Sequence, residues 1–234
     1  MINLYRNMMA KVGTAVVLAW AFSIGTASTA DAALMLILDD PTTLEIEVTI
    51  TDGSTTLGSV DSNPAVGAIT FIGSVGAFTV NVSTGLSKPI LGSAGVPSMD
   101  LASIDFSGSG GALHILLTDT GFTALGPALM KIGGVTAGSV TYAAWADESN
   151  VAFAMGNPLG ILGPYSGAFS GTAGTLGLAA SLTPYSLTQQ VSIMHATAGA
   201  SSFNATLAVP EPATLALLGL GLFGVAVFAR RRRI

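Results

Sequence analysis

The sequence predicts an all-β fold, an antiparallel β-sandwich or jelly-roll-like ectodomain, with an N-terminal signal helix and a C-terminal transmembrane helix. Three observations predict the ectodomain. Short segments alternate apolar and polar residues, turn-forming residues such as glycine, proline, serine and asparagine bound them, and no helical repeat separates them. This pattern favours a sandwich but does not predict the order of its strands.

The clearest strand pattern lies at residues 44–50, where LEIEVTI alternates apolar and polar side chains. Such alternation predicts a strand with one buried face. The side chains expected on that face are Leu44, Ile46, Val48 and Ile50. Asp52 and Gly53 follow, and this pair is typical of hairpin turns. On the same grounds we expect strands at 68–72, 77–83, 99–106, 113–118, 140–146, 151–155, 175–182, 187–195 and 203–209.

Composition indicates a single domain between the two end segments. The chain has no cysteine, which excludes disulfides, thiol nucleophiles and thiolate metal sites. About 175 residues suffice for one hydrophobic core. Glycine-rich residues 163–177 are expected to be ordered β-structure with mobile loops. We therefore divide the chain into a signal peptide at 1–32, a β-sandwich ectodomain at 33–208 and a C-terminal segment at 209–234.

The first 32 residues have the features of a secretory signal peptide. Arg6 and Lys11 form a charged start, and residues 12–24 form a short apolar stretch. Ala30 and Ala32 provide the small residues of a cleavage site. Cleavage is expected after Ala32, and the sequence that follows is predicted to be exported.

The C-terminal segment combines three features in a fixed order. Pro210, Glu211 and Pro212 form a stiff, extended stretch that neither a helix nor a central strand accommodates. The apolar residues 213–229 follow, and about 17 residues give roughly 25 Å of helix, close to a hydrocarbon core of about 30 Å. Four arginines follow this apolar stretch, and their positive charges are expected to stop its translocation and to keep this end of the chain on the cytoplasmic side. These residues are Arg230, Arg231, Arg232 and Arg233.

This combination resembles the PEP-CTERM sorting signal of Gram-negative bacteria. The resemblance implies export through the Sec translocon, a precursor anchored in the inner membrane, and removal of the tail by an exosortase, a membrane-embedded cysteine transpeptidase. The mature protein is then expected at the cell surface or in the exopolysaccharide of a biofilm matrix. The alternative is an ordinary tail anchor whose prolines serve only as a linker.

The last strands before the tail also resemble a closing strand pair found in many ectodomains of this family. Residues 185–193 and 202–207 alternate apolar and polar side chains. Gly199, Ala200 and Ser201 supply the expected turn between them. The final strand is therefore predicted to run directly into the sorting signal.

The charge balance excludes some partners. Residues 33–209 carry eleven carboxylates, no arginine and only two lysines, Lys88 and Lys131, which gives a net charge of −9. Nucleic-acid binding needs a basic surface to neutralise phosphates, so we expect no nucleic-acid partner. The same balance disfavours adsorption to anionic lipids.

The sequence contains few candidates for catalysis. Its two histidines, His114 and His195, are both expected on the polar face or at the edge of a strand. Asp105 or Asp119 is a candidate to orient His114 in a catalytic triad, but no G-x-S-x-G motif accompanies either histidine. We therefore expect no catalytic residues and no enzymatic activity.

Paired carboxylates are the next candidates. Glu45 and Glu47 would lie about 7 Å apart on one strand face, a separation that a glycosidase can use. A glycosidase cleft usually carries several aromatic side chains, whereas Trp145 is the only tryptophan outside the signal peptide. The solvent face of an amphipathic strand is the favoured interpretation.

Acidic residues also fall in probable loops, at Asp39 and Asp40 and at residues 147–150. Their oxygens are the ligands that calcium prefers, but neither segment matches a known calcium loop. No metal site or cofactor is predicted, and weak Ca²⁺ binding is left open.

Three classes of function remain. The favoured class is a non-enzymatic surface or matrix protein with a structural or adhesive ectodomain. The second is a carbohydrate-binding or adhesion module that uses Trp145, Tyr142 and loop carboxylates. The third is a secreted hydrolase that depends on His114 or Glu45.

Overall fold

A computed structural model describes residues 34–124, 126–177 and 184–210, and these residues form β-strands joined by turns and loops without a helix. The all-β prediction is therefore confirmed for this part of the chain. The strands are β1 Met35–Asp39, β2 Val48–Thr51, β3 Ala68–Val75, β4 Phe78–Leu86, β5 Gly92–Ser93, β6 Val96–Ser107, β7 Gly111–Phe122, β8 Pro127–Asp147, β9 Asn157–Gly177, β10 Tyr185–His195 and β11 Gly199–Ala208. The two predicted end helices lie outside the described residues.

The strands form two antiparallel layers that share the long strand β8. Its second half pairs with β10 in a layer ordered β2-β1-β7-β10-β8. Its first half pairs with β11 in a layer ordered β8-β11-β6-β4-β3. Strand β9 follows β8 along both halves, and β5 forms a short hairpin with β6. One hydrogen-bonded sheet therefore bends at β8 and packs against itself.

The bend in β8 occurs at Gly138. A Cβ atom at this position would lie 2.0 Å from the carbonyl oxygen of Met194, so only glycine allows this close approach. The Thr136 hydroxyl accepts a hydrogen bond from the Gly138 backbone N–H at 3.0 Å. The pairing of β8 with β9 also shifts register between Thr136 and Val140. β11 pairs with β8 up to Thr136 and β10 pairs with it from Ser139, so the change of layer falls between these two residues.

The hydrophobic core lies between the two layers. Alternate residues of β6, β7, β8, β10 and β11 point inward, as a period of two requires. The layers approach closely where Gly85 of β4 faces Leu117 of β7, because a Cβ on Gly85 would lie 2.3 Å from Leu117 Cδ1. Fully buried large side chains include Tyr142, Tyr185, Phe78, Phe122, Leu101 and Leu113.

The prediction of a strand over residues 44–50 is only half right. β2 begins at Val48, whereas Leu44 is fully exposed and Ile46 is 57% exposed. The preceding residues instead form a turn, in which the Glu47 carboxylate accepts the Asp40 backbone N–H at 2.7 Å. The strand beside β2 is β1, whose apolar run carries no alternation that would have marked it.

The prediction of a strand at residues 151–155 is wrong, whereas the β-structure predicted at residues 163–177 is present. The segment 151–155 is a loop; Phe153 within it has a φ of 60°, and Asn150 just before it has a φ of 56°. Ser186 ties this loop to β10 by donating its hydroxyl to the Val151 carbonyl at 2.7 Å. Residues 163–177, expected to be ordered β-structure with mobile loops, belong to β9, which runs through them without an intervening loop. Part of the strand predicted at 175–182 lies outside the described residues.

The predicted closing strand pair is also wrong in its partners. β10 and β11 are both strands, but they pair with β8 and not with each other: β10 pairs with its second half, β11 with its first half, and β9 occupies the other edge of β8. The turn between them comes before Gly199, which is the first residue of β11. The chain crosses from one layer to the other at this point, so the two strands do not form a hairpin.

Candidate functional site

The last strand leads directly to the predicted sorting segment. β11 lies between β6 and β8 and ends at Ala208. Val209 is 1% exposed, and its backbone N–H donates to the Pro97 carbonyl at 3.0 Å. Pro210, the next residue, is exposed. The change from buried strand to exposed chain therefore occurs within two residues.

Packing holds this exit point in place. Leu207 pairs with Met99 on one side and Met130 on the other, and all three side chains are fully buried. Burial of such side chains contributes about 1.5–3 kcal/mol each. A segment that follows Val209 is thus attached to a fixed point of the sandwich.

The other predicted sorting residues lie outside the described part of the chain. These are Glu211, Pro212, the apolar residues 213–229, the arginines Arg230 to Arg233 and the signal-peptide residues Ala30 and Ala32. In the residues that are described, no helix is long and apolar enough to cross a membrane.

The described residues therefore define an antiparallel β-sandwich in which the final described strand, β11, lies between two others and is followed closely by the exposed Pro210. Residues 208–233 match the family described as the PEP-CTERM protein-sorting motif. This confirms the resemblance seen in the sequence: the chain carries a PEP-CTERM sorting motif, which marks it as an exported protein that passes through a membrane. No curated protein sequence matches the chain.

Several solved structures share a distant likeness. One is the C-terminal CBM6 of LamC, a marine laminarinase from Zobellia galactanivorans, with 10% identity, a TM-score of 0.26 and coverage of 47% of this chain and 78% of that chain. Another is the K1 cleaved adhesin domain of Lys-gingipain from Porphyromonas gingivalis W83, with 13% identity, a TM-score of 0.28 and coverage of 63% and 92%. A third is TmCBM61 in complex with β-1,4-galactotriose, with 7% identity, a TM-score of 0.30 and coverage of 52% and 85%. A likeness at this level says nothing about what this chain binds.

His114 occupies the outer face of one layer, as predicted. It is half-buried on β7, in register with Asp39 on β1 and Ser192 on β10. Burial lowers the pKa of His114, while the negative charges of Asp39 and Asp40 act in the opposite direction. The carboxylate beside His114 is thus Asp39, and neither of the two predicted orienting residues lies next to it in the sheet.

His195 contradicts the prediction that it would lie on a polar face. It is 4% exposed on the inner face of β10, and its Nε2 lies 2.8 Å from the Ser201 hydroxyl. That hydroxyl also hydrogen-bonds the Thr136 hydroxyl at 2.7 Å. Burial lowers the pKa of His195. Because Ser201 is 2% exposed, this serine–histidine contact stabilises the interior and does not face solvent.

Asp105 lies in the same polar part of the interior. It is fully buried on β6, directly opposite Ser201 of β11. The Ser103 hydroxyl donates to its Oδ1 at 2.8 Å, while its Oδ2 has no hydrogen-bond partner within the described chain. Burial raises the pKa of Asp105 to about 7, and the bond from Ser103 only partly offsets this effect.

Glu45 and Glu47 do not form a pair on a strand face. Both precede β2, where Glu47 accepts hydrogen bonds from the Asp40 N–H and from the Thr43 hydroxyl at 2.6 Å. The bond from Thr43 lowers the pKa of Glu47. Glu47 therefore has a turn-forming role, and the glycosidase geometry is absent from this part of the described chain.

Asp39 and Asp147, which were predicted to lie in loops, are the last residues of β1 and β8. Asp40 Oδ1 accepts the Thr42 N–H at 3.0 Å, and Asp147 Oδ1 accepts the Ser149 N–H at 3.0 Å. Asn150 Oδ1 accepts the Gly121 N–H at 2.7 Å. Throughout residues 34–124, 126–177 and 184–210, no group of three histidine or acidic side chains is arranged to hold a metal ion.

The two aromatic residues proposed for carbohydrate contact differ in accessibility. Tyr142 is fully buried and donates its hydroxyl to Gln189 Oε1 at 2.9 Å, so it cannot contact a sugar. Trp145 is half-buried on the outer face of β8, in register with Thr188 and Pro158. Of these two residues, Trp145 alone is accessible for an aromatic contact.

Proposed function

We propose that this protein is a bacterial surface or exopolysaccharide-matrix protein, sorted and C-terminally processed by an exosortase, with a non-catalytic structural or adhesive ectodomain. One observation carries the proposal. The matched sorting motif starts at residue 208, and the chain leaves the sandwich at the exposed Pro210. The processing motif thus begins where the folded domain ends.

The arrangement supports processing for a physical reason. A transpeptidase needs an extended and accessible peptide, and a proline on each side of Glu211 prevents this stretch from forming a helix or joining a sheet. The buried Val209 fixes the near end of the peptide. The apolar residues 213–229 and the arginines hold the far end at the inner membrane until cleavage.

The experiment is mass spectrometry of the C-terminus of the protein recovered from its native host. We expect mature chains to end close to Pro210–Pro212, without Arg230–Arg233. A Glu211→Ala variant should keep the tail, because it changes the residue between the two prolines. The matched control is Glu148→Ala, which changes an exposed carboxylate far from the motif. Surface material that retains the intact arginine tail would contradict the proposal.

A carbohydrate-binding or adhesion module is the second candidate. The observation in its favour is Trp145, whose ring lies partly exposed on an outer sheet face, where aromatic side chains offer apolar area for contact. Binding to matrix polysaccharide should then be lost in Trp145→Ala and kept in Met194→Ala, which changes an exposed residue on neighbouring β10. Equal binding by both variants would exclude this role for Trp145.

A further inference from the structure

The ectodomain buries one of its two lysines. Lys88 Nζ lies 2.8 Å from Asp119 Oδ2, and the two side chains are only 11% and 0% exposed. Lys131, by contrast, is exposed. Removing an ammonium and a carboxylate from water costs several kcal/mol per ion, and their attraction repays this only in good geometry. Burial of this ion pair therefore costs free energy, and we looked for a role that would explain it.

The surroundings hold both groups in one orientation. Lys88 Nζ lies 4.0 Å from the centroid of the Phe122 ring and donates to the Thr120 carbonyl. The Ser87 hydroxyl donates to Asp119 Oδ2 at 2.5 Å, and the Thr120 N–H donates to Asp119 Oδ1 at 2.7 Å. An amine and a carboxyl group fixed in contact, with little freedom to separate, meet the proximity requirement for reaction.

We infer that Lys88 and Asp119 react in the folded protein to form an intramolecular isopeptide bond between the end of β4 and strand β7. Transfer of one proton within the ion pair gives a neutral carboxylic acid and a neutral amine, whose nitrogen then carries the lone pair that a nucleophile needs. The nitrogen lone pair then attacks Asp119 Cγ, and the negative charge that develops on Oδ1 is stabilised by the Thr120 N–H.

The reaction is balanced by the loss of one water molecule. A new C–N bond forms, and the bond between Cγ and Oδ2 breaks. As the C–N bond forms, Nζ loses a proton, Oδ2 gains one, and Oδ2 leaves as water. No oxidant, metal or further reactant is required. The product is a cross-link between the two layers of a chain that has no cysteine for a disulfide.

The test is the intact mass of the purified protein. We expect wild-type protein to be about 18 Da lighter than its sequence, the mass of one water. Lys88→Arg should remove this deficit. Because trimming at either terminus affects both proteins equally, the two are prepared from the same host and compared. Digestion should also give one branched peptide that contains both residue 88 and residue 119.

Two further variants make the test specific. Asp119→Asn should still react, with loss of about 17 Da as ammonia. Lys131→Arg, the matched control, should keep the full deficit. Wild-type protein with its full sequence mass would overturn the inference, as would a deficit that persists in Lys88→Arg. These outcomes are independent of how the C-terminal tail is processed.

Discussion

The buried carboxyl group of Asp105 makes the stability of the ectodomain depend on pH. Asp105 is fully buried, receives one hydrogen bond from Ser103 and has its pKa raised from 3.8 to about 7. The perturbation is Asp105→Asn, which keeps the shape of the side chain and removes its charge. The comparison is between wild type and variant over pH 4 to 8.

The sign and size of the effect follow from proton linkage. The folded protein holds a proton on Asp105 between pH 4 and 7, whereas the unfolded chain has released it. Stability from this group is therefore complete below about pH 4, falls as the pH rises, and is lost above about pH 7. A shift of about three units corresponds to about 4 kcal/mol. Asp105→Asn should thus be more stable than wild type at pH 8 by up to about this amount.

Urea denaturation at each pH provides the measurement, with unfolding free energies obtained by linear extrapolation. His195 contributes in the opposite direction. Its lowered pKa gives stability that is present above pH 6.5 and lost as the pH falls. Both proteins share this contribution, so their difference isolates Asp105. Glu45→Gln controls for the change in net charge, because Glu45 is exposed. Parallel pH profiles for wild type and Asp105→Asn would refute the reasoning.

Two further predictions test the packing. Gly85→Ala should destabilise the fold by about 1–3 kcal/mol, because its Cβ would lie 2.3 Å from Leu117 Cδ1. The control is Gly95→Ala, where an added Cβ would have no neighbouring atom within 4 Å. Equal melting temperatures for the two variants in thermal unfolding would count against the close contact at Gly85. Ile50→Ala should lower the free energy of unfolding by about 2–5 kcal/mol and Ile46→Ala by less than about 0.5 kcal/mol, because Ile50 is fully buried and Ile46 is 57% exposed. Urea denaturation measures both losses. Losses of similar size would indicate that the strand begins before Ile46, as the sequence predicted.

The alternation of apolar and polar residues correctly predicted several strands whose ends are marked by turn-forming residues. Residues 113–118 fall within β7 and residues 187–195 within β10, because alternation continues through both. The same alternation also places Asp105 inside. It shares the parity of Met99 and Leu101 on β6, so the polar interior was present in the sequence but was not recognised.

The errors arise where a tertiary contact overrides the local pattern. Leu44 and Ile46 alternate as a strand requires, but the turn held by Glu47 and Thr43 takes their backbone out of the sheet. β9 was difficult to recognise for the opposite reason. Its glycines and prolines weaken strand propensity, and its pairing with β8 supplies the order that its own residues do not.

The candidate sites also differ in whether the sequence alone could predict them. The sorting motif is contiguous in sequence, so Pro210, Glu211 and Pro212 could be read directly. The contact between Lys88 and Asp119 depends on the packing of β4 against β7, and no spacing rule connects these residues. A scarcity of lysine in the ectodomain was the only sequence feature that singled out Lys88.

The position of β11 has a consequence for the timing of folding. It is the last strand among the described residues but a central strand in the sheet, and Ala208 pairs with Ser98 and Leu129, far earlier in the sequence. Contacts between distant residues form slowly because the intervening chain must first be ordered. The sandwich therefore cannot close until its last ten residues, 199–208, have been synthesised and released. Until then β6 and β8 each expose an unpaired edge, and this is the stage at which the chain is most exposed to aggregation.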